Sequence, residues 1–340
     1  MTSQMLKEAC ASSERVAEQL AHDKERYAEL GARLRAQPPS SVLTVARGSS
    51  DHACAYAAYL IMSRLGRIVA SLPMSLVTLN KAPLVAKDTL AISISQSGQS
   101  PDVVQPISYF REHGATTVAL VNVADSPLGQ AAEWPMPLHA GPELSVAATK
   151  SFIASLVAAA RLAAHWQNDA ALLAAIEDLP AQLEAATQLD WSAALEVLQP
   201  AERIMVVGRG ISFPVALESA LKFKETCVIQ AEAFSGAEIK HGPMALIHDG
   251  YPLLIHATRG PAQEGLIRLA EEMRGRGANV LLAAPSDVAE RNLTLPVASV
   301  PDLDPIVAIQ AFYVMAARLS VARGLDPDKP RHLSKVTKTN

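Results

Sequence analysis

Apolar residues form two kinds of segment along the chain, and their alternation predicts the fold class. Short apolar runs have the length of buried strands, and between them lie longer stretches in which apolar residues recur at helical spacing. The predicted strands are 42–46, 89–94, 116–121, 203–207, 251–256 and 279–284. The predicted helices are 3–37, 52–66, 101–113, 150–166, 215–227 and 264–277. Strands that alternate with helices predict an α/β protein with parallel sheets between helical layers.

Landmark glycines recur at a nearly constant distance, which indicates a duplication. Three glycines of the first half have counterparts 162, 162 and 163 positions later. The pairs are Gly48–Gly210, Gly98–Gly260 and Gly114–Gly277. Single spacings arise by chance, but three in the same order indicate a duplicated α/β unit. We therefore expect a helical segment, a first domain, a helical connection, a second domain and a tail, at 1–38, 39–166, 167–198, 199–328 and 329–340.

Composition and charge exclude several classes of protein. The 340 residues suit two domains, and 49% hydrophobic with 19% charged residues is typical of globular chains. A net charge of −4 without a basic stripe argues against a nucleic-acid surface. Cys10, Cys54 and Cys227 lack metal-ligand spacing, which argues against a disulfide framework and a zinc site. No signal-peptide core or apolar run of ~18 residues is evident in the sequence, so we expect a cytoplasmic protein without a membrane partner.

Two loops that follow predicted strands are suited to binding a phosphate. The segment 95–100 reads SQSGQS and enters a helix for which Ser100 is the predicted N-cap and Pro101 the first residue. The N–H groups and positive dipole end of such a helix suit an anion, and ligands of open α/β sheets bind where strands end. The loop 47–50, RGSS, follows the first strand and would form a second wall of the same pocket. The alternatives are a capped turn with solvent-facing serines and a plain glycine turn.

Three further segments carry groups suited to catalysis, each with a structural alternative. Residues 143–150 are rich in small side chains that let backbone N–H groups reach a ligand, although they could simply start a helix. Glu218, Lys222 and Glu225 share one helical face, which a surface salt bridge would also produce. His241 precedes Gly-Pro on a constrained loop, where general acid–base residues are often held but solvated histidines also occur.

The C-terminal segment 330–337, PRHLSKVT, is a frayed basic terminus by composition alone. Together with ALKFKE at 220–225 and AEAFSGAEIKHGPMALI at 231–247, however, it resembles the sugar isomerase (SIS) superfamily. The resemblance covers residues 40–340 and is strongest to the isomerase part of glutamine–fructose-6-phosphate aminotransferase and to stand-alone relatives, including SIS-type glucosamine-6-phosphate deaminases. It implies two tandem SIS domains, each a parallel sheet flanked by helices in three α/β/α layers.

The resemblance also implies roles for individual residues, without a metal or cofactor. The positions that match substrate-binding residues of the family are Ser50, Ser95, Gln96, Ser97 and Ser100 for the phosphate, and Val146 and Ala147 for the sugar. Glu225 matches the base that moves a proton between carbons 1 and 2, and Lys222 matches a lysine near the oxygen on carbon 1. His241 matches the residue that opens the sugar ring, which in the family reaches in from the neighbouring subunit. Lys335 matches the C-terminal lysine that can form a Schiff base.

Departures from the synthase pattern change the expected reaction. The synthase carries an N-terminal glutaminase domain, whereas residues 1–40 here are predicted to be helical, so we do not expect glutamine-driven synthesis. Ser334 and the stretch 145–150, SVAATK, also differ from the synthase and leave the substrate open. We predict conversion of glucosamine 6-phosphate to fructose 6-phosphate and ammonia. The alternatives are an isomerase of another hexose or aminohexose phosphate and a non-catalytic sugar-phosphate sensor.

The expected partners are a small phosphorylated sugar or amino sugar and a second copy of the chain. The resemblance implies a homodimer with a shared active site, and the apolar face of residues 3–37 needs a surface to cover it. We expect no nucleic-acid partner, since residues 1–38 lack the helix-turn-helix pattern that a sensor would usually carry. A nicotinamide dehydrogenase would need a glycine fingerprint that is missing from the sequence.

Overall fold

The computed structural model describes residues 2–335, which divide into two compact units. We call them the first and second unit, after the half of the chain that supplies each sheet. The first unit comprises 14–143, 150–177 and 334–335, and the second unit comprises 2–13, 144–149 and 178–333. Residues 336–340 of the predicted tail lie outside the described residues.

The described chain consists of α-helices, strands and four short 3-10 helices. The α-helices are α1 Gln4–Cys10, α2 Ser12–Ala21, α3 Lys24–Ala36, α4 Ser49–Leu65, α5 Ser75–Thr78, α6 Pro101–Glu112, α7 Pro127–Ala131, α8 Lys150–Gln167, α9 Ala170–Glu177, α10 Leu179–Thr187, α11 Ser192–Leu198, α12 Phe213–Cys227, α13 Gln263–Gly275 and α14 Asp304–Ala322. The strands are β1 Ser41–Val45, β2 Val69–Ser71, β3 Thr89–Ser95, β4 Thr116–Val121, β5 Trp134–Pro137, β6 Arg203–Gly208, β7 Gln230–Ser235, β8 Pro252–His256, β9 Asn279–Ala284 and β10 Leu293–Thr294. The 3-10 helices are Gly210–Ser212, Glu238–His241, Pro243–Leu246 and Pro301–Leu303.

Each unit contains one five-stranded parallel sheet, and the two sheets share one strand order. The first unit has β2-β1-β3-β4-β5, and the second has β7-β6-β8-β9-β10. Every strand pair in both sheets is parallel. The predicted α/β class, with a duplicated parallel sheet flanked by helices, is therefore confirmed.

The landmark glycines adopt the same kind of backbone conformation in both units. All six members of the three predicted pairs have a positive φ, a region that side chains with a Cβ rarely occupy. Their φ angles range from 57° at Gly48 to 127° at Gly260. The constant spacing therefore reflects turns that must be made by glycine at equivalent points of each unit.

The strands missing from the prediction are the four at the sheet edges, namely β2, β5, β7 and β10. They span two to six residues, and each of the four contains residues that are exposed or half-buried. The sequence of β5, WPMP, also contains two prolines, which suit only an edge strand. The sequence pattern reveals the buried central strands because these are continuous apolar runs. It does not reveal the edge strands because they contain no such run.

Helix α14 is the largest element that the sequence pattern did not predict. It is buried on nearly all sides and packs on α12 and α10 of the second unit. A helix that is apolar all round has no amphipathic period to detect. Together with the preceding 3-10 turn it is long and apolar enough to cross a membrane, but 83% of its most apolar stretch is buried inside the unit. The burial identifies it as a core helix.

The predicted single helix over 3–37 is wrong, because the segment forms α1, α2 and α3. Asp23 adopts a left-handed conformation with φ 56°, which ends the helical path before α3. The apolar face of the segment is also covered by the chain itself. Met5 and Ala9 are buried in the second unit, where α1 packs on α14, and α3 packs on α8 in the first unit. The expectation that this face requires a partner surface is therefore wrong.

A buried histidine links the sheet of the second unit to the helix that carries Glu225. His256, the last residue of β8, is fully buried, and its Nε2 lies 3.1 Å from the hydroxyl of Ser219 on α12. Its Nδ1 has no hydrogen-bond partner among the described residues. Burial lowers the pKa of His256 from 6.5 to about 3, so the folded protein holds this ring neutral.

Gly98 is required by the close approach of two loops in the first unit. Its φ is 64°, and its carbonyl accepts a hydrogen bond of 3.1 Å from the N–H of Leu128. A Cβ at this position would overlap the hydroxyl of Ser126 and lie 2.6 Å from its Cβ. Ser126 is buried and is the N-cap of α7, so it has little room to move.

We predict that His256 makes the free energy of unfolding depend on pH. In the unfolded chain His256 is protonated below about pH 6.5, whereas in the folded chain it stays neutral down to about pH 3. Stability therefore rises with pH across this window, by about 1.4 kcal/mol per pH unit from this group. When the free energy of unfolding is measured by urea between pH 4 and 6, its increase per pH unit should be smaller by that amount in His256→Asn than in the wild type. The exposed His248→Asn serves as control, and an unchanged slope in His256→Asn would contradict the assignment.

We predict that Gly98→Ala strains the loop that follows β3. Both the positive φ and the overlap with Ser126 oppose an alanine, so unfolding free energy should fall by about 1–3 kcal/mol. Gly275→Ala is the matched control, because nothing lies within 4 Å of its Cβ position at the end of α13. Thermal denaturation of both variants checks this. Equal stability of the two variants would mean that the loop adapts freely.

Candidate active site

The SQSGQS loop of the first unit leaves the carboxyl end of β3 with its hydroxyls already oriented. The Oγ of Ser95 accepts a hydrogen bond of 2.9 Å from the N–H of Gly98, and that of Ser97 accepts one of 3.3 Å from Gln99. A hydroxyl whose oxygen accepts can still donate its hydrogen. Ser95, Gln96 and Ser97 are half-buried, so the loop can present hydroxyl donors to an anion.

The helix that follows this loop begins as the sequence predicts. Ser100 is the N-cap of α6 and Pro101 occupies the first turn. The carbonyl of Ser100 accepts the N–H groups of Val103 and Val104, at 3.0 and 3.1 Å. The positive end of the helix dipole at this terminus favours a negatively charged ligand.

The RGSS loop lies beside the SQSGQS loop because β1 and β3 are adjacent and in register. Val45 of β1 pairs with Ser93 of β3, so both loops start at the same level of the sheet. Ser50 lies in the first turn of α4. A hydrogen bond of 2.9 Å from Nε of Arg47 to the buried Asp102 on α6 joins the two loops. The structure therefore brings Ser50 and the serines of the SQSGQS loop to the carboxyl end of the same sheet.

Lys335 of the first unit is held by a carboxylate that the sequence analysis did not assign. Its Nζ lies 2.8 Å from Oε2 of Glu143, whose side chain is fully buried. The same carboxylate accepts hydrogen bonds from the backbone N–H of Ser151 at 3.1 Å and its hydroxyl at 2.6 Å. A buried carboxylate needs such donors, and the lysine supplies the compensating charge. No local pattern signals this pair, since its members are 192 residues apart.

The second unit contains a buried ionic row on α12. Lys222 is 1% exposed; its Nζ bonds to a carboxylate oxygen of Glu225 and lies 3.4 Å from one of Glu218. Glu218 is fully buried and also accepts a hydrogen bond of 2.9 Å from the hydroxyl of Tyr313. The alternative of a surface salt bridge is therefore wrong for this row. Tyr313 belongs to α14, which explains why the sequence analysis missed it.

Burial and charge act in opposite directions on Lys222. Burial alone would lower the pKa of its ammonium group, but the carboxylates of Glu218 and Glu225 outweigh burial and raise it. Lys222 is therefore a fixed cation between two carboxylates. Glu225 is the one member of this trio with appreciable exposure, at 23%, so the row is accessible from solvent through Glu225.

The loop 144–149 of the second unit does not offer the backbone groups that the sequence suggested. The N–H groups of Leu144 and Ser145 donate to the carboxylate of Glu8, at 2.6 and 3.1 Å. The N–H of Val146 donates to the carbonyl of Asp328 at 3.3 Å. The expectation that N–H groups of this loop reach a ligand is therefore wrong for residues 144–146, because Glu8 and Asp328 of the same unit bind them. Ala147 is buried and Val146 half-buried.

His241 ends an exposed 3-10 turn of the second unit, Glu238–His241. No hydrogen bond or ion pair joins it to Lys222 or Glu225 in the part of the chain that the structure describes. The first unit thus holds two of the predicted features, namely the two serine loops, with Gln96, and Lys335, which is bound to Glu143. The second unit holds the Glu225 row, the 144–149 loop and the separate His241.

Comparisons with known proteins agree with this architecture. The chain matches the SIS domain family over residues 37–165 and 197–310. It is 33% identical over 314 residues to a glutamine–fructose-6-phosphate aminotransferase (isomerizing) of Zymomonas mobilis, a match that covers 86% of this chain and 51% of the relative. The chain thus spans about half the length of the curated relatives that it matches.

Solved structures show the same fold. A protein from Silicibacter pomeroyi, provisionally assigned as a phosphosugar isomerase, is 40% identical with a TM-score of 0.91 and coverage of 96% of this chain and all of the other. A glucosamine-6-phosphate deaminase from Thermotoga maritima has a TM-score of 0.79 at 23% identity, covering 99% of this chain and all of that one, and this likeness shows the fold alone. With two matched SIS segments and homology to the isomerase part of glutamine–fructose-6-phosphate aminotransferase, this chain belongs to the SIS domain family.

Proposed function

We propose that this protein is a phosphosugar isomerase that deaminates glucosamine 6-phosphate to fructose 6-phosphate and ammonia. The observation that carries the proposal is the buried row on α12, which holds the carboxylate of Glu225 at its exposed end against a fixed ammonium group. A binding protein has no need for such an arrangement, whereas aldose–ketose isomerisation needs a positioned base.

Phosphate binding is assigned to the serine loops of the first unit. Ser50, Ser95, Gln96, Ser97 and Ser100 are the proposed ligands, and the hydroxyls of Ser95 and Ser97 keep a hydrogen to donate. The N-terminus of α6 adds its dipole. Binding energy from the phosphate would hold the distant carbons 1 and 2 in place for the chemistry.

Glu225 is the proposed base. It removes the hydrogen on carbon 2 of the open-chain amino sugar while the oxygen on carbon 1 takes up a proton, which gives an enolamine. Return of a proton to carbon 1 gives the imine at carbon 2, from which ammonia is released through Lys335. Lys222 compensates the charge of Glu225 and fixes its orientation, because it bonds to the same carboxylate.

Lys335 is proposed to react with carbon 2 through its amine. The neutral amine adds to the imine and forms a bond from Nζ to carbon 2, the original bond from carbon 2 to nitrogen breaks and ammonia leaves. Water then hydrolyses the resulting lysine imine, which gives fructose 6-phosphate and the free lysine. The ammonium form must first lose a proton, and Glu143 is placed to accept it at 2.8 Å. Glu143 thereby both holds Lys335 and serves as its proton acceptor.

A homodimer with a shared active site and a cytoplasmic location complete the proposal. His241, assigned to ring opening, is exposed and lies apart from the Glu225 row within its own unit, which suits action on a neighbouring subunit. The thiols of Cys54 and Cys227 are buried and free, as is usual in a reducing compartment.

The second candidate is an isomerase of another hexose or aminohexose phosphate. The relative with 40% identity, which is provisionally assigned as a phosphosugar isomerase rather than a deaminase, favours it. The two reactions share the phosphate loops and the base, and they differ in whether carbon 2 carries nitrogen.

We predict that the purified protein releases ammonia and fructose 6-phosphate from glucosamine 6-phosphate. Glu225→Gln should lower kcat by about a hundredfold or more, because the amide cannot accept the proton. Lys335→Ala should also lose turnover. Coupled assays of both products measure this, with calorimetry of fructose 6-phosphate binding to show that the variants keep the phosphate site.

Matched controls make the outcome specific. Glu264→Gln, on the surface of α13, and Lys329→Ala, an exposed residue of the same C-terminal segment, remove the same charges and should keep wild-type rates. No ammonia from the wild type, with interconversion of another hexose phosphate, would replace the deaminase by the second candidate. Binding without turnover of any sugar phosphate would point to a sensor.

We predict that the inactive variants Glu225→Gln and His241→Ala complement each other when co-expressed. A mixed dimer contains one site with both native residues if His241 acts across the subunit interface, so activity should return to about a quarter of wild type in a statistical mixture. Tagged co-purification and the ammonia assay test this. Mixed dimers that stay inactive would place His241 on its own subunit or outside the site.

A further inference from the structure

A cavity of about 240 Å³ lies among four helices of the first unit, with residues of α2, α3, α8 and α9 in its wall. Leu20, Leu173 and Ile176 give it an apolar side. Within the described chain, its wall contains none of the residues proposed above to bind phosphate or to transfer protons. A cavity of about 150 Å³ can hold benzene, so this one has room for a small molecule.

Arg161 of α8 brings a buried positive charge to the wall of this cavity. It is 3% exposed, and it donates from Nη1 to the carbonyl of Gln19 and from Nη2 to that of His22, both at 2.8 Å. The ring centre of Tyr27 lies 4.2 Å from the guanidinium carbon. A guanidinium group carries five N–H donors, and these bonds use two of them. No carboxylate forms an ion pair with Arg161 among the described residues, so its remaining donors suit an anion.

Lys24 adds a second positive charge at the same wall. It is the exposed first residue of α3, where a cation opposes the helix dipole and the helix has no side-chain cap. Helix stability therefore does not account for a lysine at this position. Glu177 of α9 is the one acidic side chain that the described chain places on the wall, and no ion pair joins it to Lys24 or Arg161 there. Two cations against one carboxylate make the cavity electropositive.

His165 of α8 responds to the combined effect of these charges. It is buried at the cavity wall, and its ring stacks on that of Tyr27 with 6.0 Å between the centroids. Burial, together with the positive charges of Arg161, Lys24 and Arg35, lowers its pKa from 6.5 to about 4. The ring is therefore neutral at pH 7, and a bound anion would offset the three cations and raise the pKa of the ring.

We propose that this cavity is a binding site for a small carboxylate with an apolar body, whose charge lies against Arg161 and Lys24. The apolar side of the cavity suits the body, and the excess of positive charge suits the carboxylate. Binding there is independent of the proposed catalytic reaction. The competing explanation is that Arg161 only binds the carbonyl groups at the end of α2, which predicts no affinity for a carboxylate at this place.

The test is a titration of the full chain at pH 7 with benzoate, which combines a carboxylate with an apolar ring. NMR of ring-labelled histidine follows the His165 signal, assigned with His165→Asn, so that binding is measured at this cavity. We expect this signal to move with a Kd of about 1 mM or tighter, an affinity within the reach of so small a ligand. Benzamide has the same shape without the charge, and inorganic phosphate has charge without an apolar body. Each should bind about tenfold more weakly or worse at this signal.

Lys24→Gln removes one charge of the wall from an exposed position, so the variant should fold and bind benzoate about threefold more weakly or worse. Lys87→Gln, at an exposed lysine of the same unit, is the matched control and should leave the Kd unchanged. Glu177→Gln should tighten binding, because it removes the opposing charge of the wall.

The outcomes decide between the site and a purely structural Arg161. A His165 signal that stays in place at about 20 mM benzoate would overturn the proposal, as would an equal response to benzamide or inorganic phosphate. An identical Kd in Lys24→Gln and the wild type would overturn it too. Weaker binding in Lys24→Gln with an unchanged Kd in Lys87→Gln supports it, whether or not the wild type turns over any sugar phosphate.

Discussion

The chemistry proposed for the second unit depends on the ion pairs that the buried ammonium group of Lys222 forms with two carboxylates. An unpaired charge in this position would be very costly, and loss of one partner from a buried ion pair typically costs about 3–5 kcal/mol. The fold meets this requirement with Glu218 and Glu225 from the same helix, and it orients Glu218 through Tyr313. Glu225 is thus bonded to the ammonium group of Lys222, which is buried and cannot move into water. This bond holds the carboxylate in one position, as a general base requires.

The anion site proposed for the first unit depends on neutral donors, namely the hydroxyl groups of two serine loops. Parallel pairing of β1 and β3 places two loops side by side, and the serines of the SQSGQS loop use their oxygens to fix the loop while keeping hydrogens to donate. In the Lys335–Glu143 pair, the buried carboxylate holds the lysine and is also its proposed proton acceptor. In each case hydrogen bonds within the unit hold the groups that are proposed to bind or react.

The sequence predicted what is local or continuous, and it failed where distant segments meet. Central strands, the SQSGQS loop with Ser100 and Pro101, and the glycine turns follow from short patterns that one segment carries alone. The edge strands and α14 were missed because they lack a detectable period. Glu143 and Glu8 gain their partners only through tertiary structure, so no spacing along the chain could have assigned them.

In the proposed reaction, Glu225 takes the hydrogen from carbon 2 of a bound sugar phosphate. The most direct measurement follows glucosamine 6-phosphate deuterated at carbon 2 by mass spectrometry and NMR, with glucose 6-phosphate labelled in the same way beside it. We expect the deuterium to leave carbon 2 of the amino sugar and to appear on carbon 1 of fructose 6-phosphate or in solvent, and we expect Glu225→Gln to abolish this loss. Recovery of both sugars with their deuterium in place after incubation with the wild type would contradict this expectation.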